Sequence, residues 1–378
     1  MLSIWEKESF YKPVDIIITG SGLMGLWAAY ELKSREPKLE ILILDRNNIP
    51  MGASTRNAGF ACFGSPTELL HNAETMGTFA MLDIVNARYR GIKKMRHVLG
   101  DTVIGFEACG GYECIGKEYA HSKHLKGKVE WLNATLEQVT GSSNSFRINE
   151  TELSAFGLSG FETLIETRFE GALHSGMLVQ SLMQLVKEKG VQIMMGEEVK
   201  SWQHHGDAIE VQTGGHYFKT QKLVVATNGF TGSLLPSLNI EPARGQVIVT
   251  RPIEGLKLKG TFHFDEGYYY WRHLENRVLL GGARNMAIDE EKTDNLQVST
   301  TIQAELERFL AEHILKNYNL PSEGLIEHRW AGLMGFTEDK KPQVTKVENN
   351  VWAAISCNGM GVALTPIIAE QLADAVLA

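Results

Sequence analysis

Cysteines and long apolar runs are both scarce in this chain, and each scarcity removes a class of explanation. Only four cysteines (Cys62, Cys109, Cys114 and Cys357) stand among 378 residues. None falls in a CxxC pair or a zinc-ligand spacing, so no metal site is expected. The pattern fits a reducing compartment, although counting alone leaves two disulfides open. The formal net charge is −8, which gives no electrostatic reason to expect a nucleic-acid partner. No apolar run is long enough for a transmembrane segment. The opening MLSIWEKESFYKP lacks the basic, apolar and small-residue succession of a secretory signal, so a cytoplasmic address is expected. What remains is the composition of a soluble globular protein, 43% hydrophobic and 22% charged, in a chain long enough for two domains.

Residues 14–45, VDIIITGSGLMGLWAAYELKSREPKLEILILD, organise the rest. Val14, Ile16, Ile17 and Ile18 form the β-branched run of a strand buried on both faces. Gly20, Gly22 and Gly25 then give GxGxxG where a strand ends and a helix opens. They serve a tight turn, close approach to a pyrophosphate, and helix–strand packing. Leu23 and Met24 lie between these glycines, where the helix N-terminus offers N–H groups to an anion. Residues 41–44 form a second buried strand. Asp45 ends it 20 residues after Gly25, where a carboxylate accepts ribose hydroxyls, and Arg46 follows. A dinucleotide is expected here.

A second loop says which one. Residues 50–66 are rich in Gly, Ala, Ser, Thr and Asn, and Ser54, Thr55, Asn57, Ala58 and Gly59 can lie against phosphates and ring edges. A nicotinamide cofactor has no need of this loop, whereas a longer FAD does. The buried strand 222–225 leads to Thr227, Asn228 and Gly229 at the edge where ligands lie in open α/β sheets. Val199 sits where its backbone can pair with an adenine edge. Near the C-terminus Asn358, Gly359, Met360, Gly361 and Val362 lead into a helix whose N-terminus can face the flavin N1–C2=O edge.

Elsewhere, residues 1–13 read as an amphipathic lead-in, with Ile4, Trp5 and Phe10 packing on the body. Residues 78–99, 123–137, 150–156, 176–189 and 298–316 read as helices, 102–115 as strand and 207–220 as a hairpin. Alternation along 268–272 puts Tyr268, Tyr270 and Arg272 on one face and Tyr269 and Trp271 on the other. Tyr270 and Arg272 offer a phenol and a guanidinium as candidate binders. Arg244 suits a domain-interface ion pair as well as a site. His263 and His273 read as structural histidines, while Phe60 and Cys62 can line a pocket.

These pieces, carried by GSGLMG (20–25), GASTRNAGF (52–60), ATNGF (226–230), EPARGQ (241–246), WAGLMGFTEDKKPQV (330–344) and CNGMGVALTP (357–366), resemble the D-amino-acid oxidase family of FAD-dependent oxidoreductases. The family includes glycine oxidase and sarcosine oxidase. The resemblance implies an α/β and α+β fold. A Rossmann-like FAD domain of three segments (1–85, 157–235, 325–378) goes with a substrate domain on a large mixed sheet (86–156, 236–324). It also implies FAD contacts at the glycines and loops named above, and a substrate-side position for Tyr270 and Arg272, which makes them the candidate catalytic pair. Family members more often carry Glu at the position of Asp45. Where amino-acid oxidases place a carboxylate-clamping arginine, this chain has Met334, so Arg272, Arg284 or Arg329 must supply that charge to an α-amino acid. No cysteine stands among residues 330–339 for a covalent flavin bond, so noncovalent FAD is expected. Leu279 replaces the lysine that helps sarcosine oxidase react with oxygen, which leaves the electron acceptor open between O2 and a redox partner. The strand around 268–284 and the arginine-free WAGLMG segment resemble the γ-glutamylputrescine oxidoreductase branch, which acts on amines. The expected reaction oxidises the C–N bond of a small amine or amino acid by hydride transfer to flavin N5, giving an imine that hydrolyses. The alternatives are a nicotinamide-dependent dehydrogenase and a flavin-binding protein without turnover.

Overall fold

The computed structural model describes residues 2–117, 124–149, 152–318, 320, 324–338, 341–355 and 357–378. The helix starts expected at 123 and 150, and residues 339–340 of the WAGLMGFTEDKKPQV segment, lie outside them. The chain parts into two compact units. One is Met1–Thr55, Ser175–Ala243 and Leu333–Ala378; the other is Arg56–His174 and Arg244–Gly332. Residues 56–85 and 157–174 thus make their contacts in the second unit. All four cysteines are free thiols. No helix among the described residues is long and apolar enough to cross a membrane.

The first unit is built on a parallel core in the order Val351–Ile355, Tyr217–Val225, Val14–Thr19, Ile41–Asp45, Gln192–Met195. Ile17, Ile18 and Ile43 are wholly buried, which is why these strands read as continuous apolar runs rather than alternations. The helix Leu23–Arg35 packs against both Ser175–Glu188 and Gly361–Leu377. Val199–His205 and Ala208–Thr213 add an antiparallel ribbon to Tyr217–Val225, so the expected hairpin is present. The N-terminal expectation is corrected. Ile4–Ser9 is a helix, but Ile4, Trp5 and Phe10 are exposed. A reciprocal cap between Ser3 and Glu6 holds this single turn and a half, not packing.

The second unit carries an eight-stranded mixed sheet. Its order is Ile326–Phe336, Glu241–Thr250, Arg277–Gly282, Tyr269–Leu274, Thr261–Phe264, Gly111–Ile115, Thr163–Thr167, Arg147–Asn149. Thr261–Phe264 and Gly111–Ile115 run parallel, and the hairpins around them are antiparallel. The register sorts the side chains cleanly. Phe262, Trp271 and Leu280 share one face and are wholly buried with Phe309 in an aromatic core. On the other face His263 stands opposite Glu113 and Tyr270, and Arg272 opposite Thr261 and Leu279. The two sheets expected from sequence, one parallel and Rossmann-like and one large and mixed, are both present.

Three readings are revised by local backbone. Tyr268 precedes the strand and packs with the aromatic core instead of sharing the face of Tyr270. The left-handed residues Asp265, Glu266 and Gly267 turn the chain there and break the alternation. Of residues 102–115 only Gly111–Ile115 is strand. Gly100, Gly105 and Gly110 take positive φ and fold 101–110 into turns. The helix expected over 298–316 is Thr300–Phe309, continued by a wider π turn at Leu310–Ile314.

Candidate functional site

In the first unit the glycine turn closes against the end of a neighbouring strand. A methyl group on Gly25 would stand 2.0 Å from the Gly20 carbonyl oxygen, and one on Gly20 2.8 Å from that of Ala226. No side chain fits either place, so both glycines are required by the chain's own packing, Gly20 where the turn closes on the neighbouring strand and Gly25 where the helix lies against that turn. Leu23 and Met24 begin the following helix and are buried, with the Leu23 N–H donating to Ser54 Oγ at 2.9 Å. Thr55 Oγ1 donates to the Pro50 carbonyl at 2.6 Å, which folds the second loop back on itself. The Asp45 carboxylate accepts from Ser21 N–H at 2.8 Å, Ser21 Oγ at 2.7 Å and Asn47 N–H at 3.0 Å. It therefore fixes the glycine turn directly. The Arg46 guanidinium lies 3.6 Å from the centre of the Phe230 ring. Val199 opens its strand opposite Thr213, at a shift in register.

Three further segments of the same unit converge. The Asn228 amide donates to the Leu333 carbonyl and accepts from Gly335 N–H, both at 3.3 Å. Thr227 Oγ1 bonds Thr231 Oγ1 at 3.0 Å. Asn358 accepts from Thr337 N–H at 3.3 Å. A methyl on Gly229 would meet the Met334 carbonyl at 2.9 Å, and one on Gly359 the Met334 sulfur at 3.5 Å. Met334 is thus flanked by both glycine turns. Met360 caps Gly361–Leu377, in which Val362 is buried.

The second unit holds the candidate pair. Tyr270 and Arg272 project from one face of Tyr269–Leu274, as the alternation requires. Arg272 is 7% exposed, its Nε has no hydrogen-bond partner, and among the described residues no carboxylate stands within 4.0 Å of it. Burial pulls its pKa below the usual guanidinium value, against the opposing influence of Cys109 and Glu107. Gly59 makes room for it. At φ +72°, a methyl there would meet the Leu173 carbonyl at 2.3 Å and the guanidinium at 3.4 Å. Asn57 Oδ1 accepts from Gly59 N–H at 2.9 Å, and Ala58 packs with Val247, Val249 and Leu279. Gly281 serves Tyr270 likewise, since any side chain there would stand 2.4 Å from the phenol ring. Burial raises the Tyr270 phenol to about 12, with Arg284 opposing. Phe60 meets the Tyr270 ring edge-on at 5.8 Å and the His263 ring at 5.3 Å.

The other candidate cations are engaged. Arg244 bonds Glu291 through two nitrogens, at 3.0 and 2.6 Å, within a network that includes Gln246 and Ser299. It is a structural pair inside this unit. Arg329 bonds Gln303 at 2.8 Å and pairs with Glu307 at 2.7 Å. His273 pairs with Glu107 at 3.0 Å and accepts from Gly260 N–H at 3.1 Å. His263 differs, being buried with its Nε2 lacking a hydrogen-bond partner, 3.4 Å from Glu170. Burial lowers its pKa, but Glu170, Glu113 and Glu68 outweigh that and raise it. Glu113 accepts from Thr67 N–H at 2.8 Å and from the hydroxyls of Ser65 and Thr67, and burial lifts it to about 7. Glu113 and Glu170 carry no signal in the sequence: strand register sets Glu113 opposite His263, and Glu170 reaches it from the bend between Thr163–Thr167 and Gly171–Ala172.

Comparison with known proteins places this geometry. Residues 15–375 match the family described as DAO, FAD dependent oxidoreductase. The chain is 26% identical to the bifunctional protein ThiO/ThiG of Synechocystis sp., over 96% of this chain and 51% of that protein; it thus spans about half of that relative's length. It is 23% identical to γ-glutamylputrescine oxidoreductase of Escherichia coli, over 95% of this chain and 83% of that one. Among solved structures, L-proline dehydrogenase from P. horikoshii shares the fold with a TM-score of 0.76 at 19% identity, over 97% and 94% of the two chains. The family match decides for FAD over a nicotinamide dinucleotide, and the chain belongs to the DAO family of FAD-dependent oxidoreductases.

Proposed function

We propose that this chain oxidises the C–N bond of a small amine that carries a carboxylate, and that Arg272 receives that carboxylate. One observation carries the reading. A guanidinium taken out of water with no carboxylate in ion-pairing reach costs several kcal/mol, and an anionic ligand offsets that cost on binding. In this reading the first unit holds FAD noncovalently through Gly20, Gly22, Gly25, Ser54, Thr55, Val199, Thr227–Gly229 and 358–362. Asp45 acts there by fixing Ser21 in the turn. The Cys357 thiol, pushed by burial to about 12, is a poor nucleophile toward a flavin. FAD supplies the two-electron oxidant for the amine's C–H bond. The second unit is the substrate domain, where Asn57, Ala58 and Gly59 support the Arg272 side chain. Tyr270, protonated at any physiological pH, donates a hydrogen bond and orients the substrate, while the apolar setting of Phe60, Leu279 and Trp330 excludes water. The imine product then hydrolyses to a carbonyl compound and ammonia or an amine.

The test is anaerobic bleaching of the flavin by amino acids, each paired with its decarboxylated amine. Carboxylate-bearing members should bleach it and their partners should not. A preference for the carboxylate-free amines refutes the role of Arg272. Flavin that dithionite reduces and no amine reduces refutes the enzymatic reading.

A further inference from the structure

A second polar cluster lies in the second unit, and amine oxidation does not use it. Phe60–Ala61 pairs antiparallel with Gly171–Ala172. Continuing that ladder by one residue sets Cys62 across from Glu170. His263 enters from Thr261–Phe264 of the large sheet. All three residues are buried, and Cys62 Sγ, a Glu170 carboxylate oxygen and a His263 ring nitrogen lie within 4.8 Å of one another. His263 Nε2 stands 3.4 Å from Glu170 Oε2, in an orientation that makes no hydrogen bond. The carboxylate is held from behind. Its Oε1 accepts from Phe63 N–H at 3.2 Å and Gly64 N–H at 3.4 Å, which leaves Oε2 to face the histidine. Gly111 keeps the space open, since a methyl there would stand 2.3 Å from Oε2.

We propose that Cys62, Glu170 and His263 bind one divalent cation of zinc type. A thiolate, an imidazole and a carboxylate are the donors that zinc prefers in mixed sites. Tetrahedral bonds of about 2.0–2.3 Å place ligand atoms about 3.3–3.8 Å apart. The N–O separation, 3.4 Å, already has that value, and the sulfur lies within 4.8 Å of a donor atom of each partner. The backbone bonds to Oε1 orient the carboxylate as outer-shell partners do. Binding forms metal–sulfur, metal–nitrogen and metal–oxygen bonds and releases to solvent the thiol proton and, from a protonated His263, the proton on the ligating nitrogen, so thiolate and carboxylate together neutralise the cation. The bound ion ties the chain just after Phe60 to the sheet and so fixes a ring that touches Tyr270.

The test uses the flavin-loaded protein, exposed to zinc, dialysed against metal-free buffer and analysed for metal. Wild type should retain about one zinc per chain, and Cys62→Ala and His263→Gln should each lose affinity by about 10–100-fold or more. Cobalt exchanged into wild type should give thiolate charge-transfer and ligand-field bands, the latter at longer wavelengths than the flavin absorbs, and Cys62→Ala should lack them. If a variant does not fold, wild type alone decides: a chelator should lower its melting temperature and zinc should restore it. Wild type that holds no metal after zinc exposure, or metal content unchanged in folded variants, overturns the proposal. None of these readouts depends on whether the chain oxidises amines.

Discussion

Replacing Arg272 by methionine should move stability and catalysis in opposite directions. Arg272 is 7% exposed and faces no carboxylate within ion-pairing distance among the described residues. In the substrate-free protein it is therefore a cost. Exchanging buried charge for an apolar side chain of similar length commonly stabilises by about 1–4 kcal/mol. At roughly 2–4 °C per kcal/mol for a domain of this size, Arg272→Met should melt several degrees higher. Binding reverses the account. Removing one partner of a buried charge pair costs about 2–5 kcal/mol, which corresponds to a fall in kcat/KM of between about 30-fold and 5,000-fold. That loss should appear with carboxylate-bearing amines and be nearly absent with their decarboxylated counterparts. Arg272→Lys should fall between the two, since an ammonium keeps the charge without the bidentate fork. The assays are thermal unfolding of the flavin-loaded protein and anaerobic flavin reduction under single-turnover conditions. A variant that melts lower, or that slows all amines equally, would refute the reasoning, because both results describe an arginine that serves the fold.

Other perturbations separate the two units. Gly25→Ala puts a methyl 2.0 Å from a backbone oxygen and should cost more than about 3 kcal/mol, read as flavin lost on gel filtration with a lowered melting temperature. Gly281→Ala should keep its flavin spectrum but lose at least about tenfold in kcat/KM, since the added methyl displaces the Tyr270 ring. Burial raises the Tyr270 phenol to about 12, so its donor proton persists where an exposed tyrosine would have lost it. The pH profile of kcat/KM should rise as the substrate amine deprotonates and then stay level through about pH 11. A fall near pH 10 that Tyr270→Phe abolishes would contradict this.

What could be read from sequence was what the chain states locally. Residues 14–45 carry strand, turn and helix within one short window, and each glycine there has a reason visible in its neighbours. The same holds for the parity of Tyr270 and Arg272, which a strand fixes without knowledge of its partners. Tyr268 departs from the alternation because parity holds only inside a strand, and left-handed residues at 265–267 turn the chain just before it begins. Trp5 and Phe10 looked like packing residues because hydrophobicity does not say whether a partner surface exists. Cys62, Glu170 and His263 were invisible as a group. No spacing rule links positions that only a two-residue ladder and a strand of the large sheet bring together. That no carboxylate among the described residues pairs with Arg272 is likewise hidden, since it depends on where every other acidic side chain lies.

The division of labour between the two faces of the mixed sheet has an evolutionary consequence. Trp271 and Phe262, on one side, are locked into an aromatic stack whose members cannot change singly. Arg272, Tyr270, His263 and Leu279, one position removed, face the other way. Adjacent positions therefore meet different physical demands, one set by the packing of the scaffold and the next by what the opposite face holds. A lineage could exchange every second residue of a few short strands and so change what that face holds while the aromatic stack behind it stays intact.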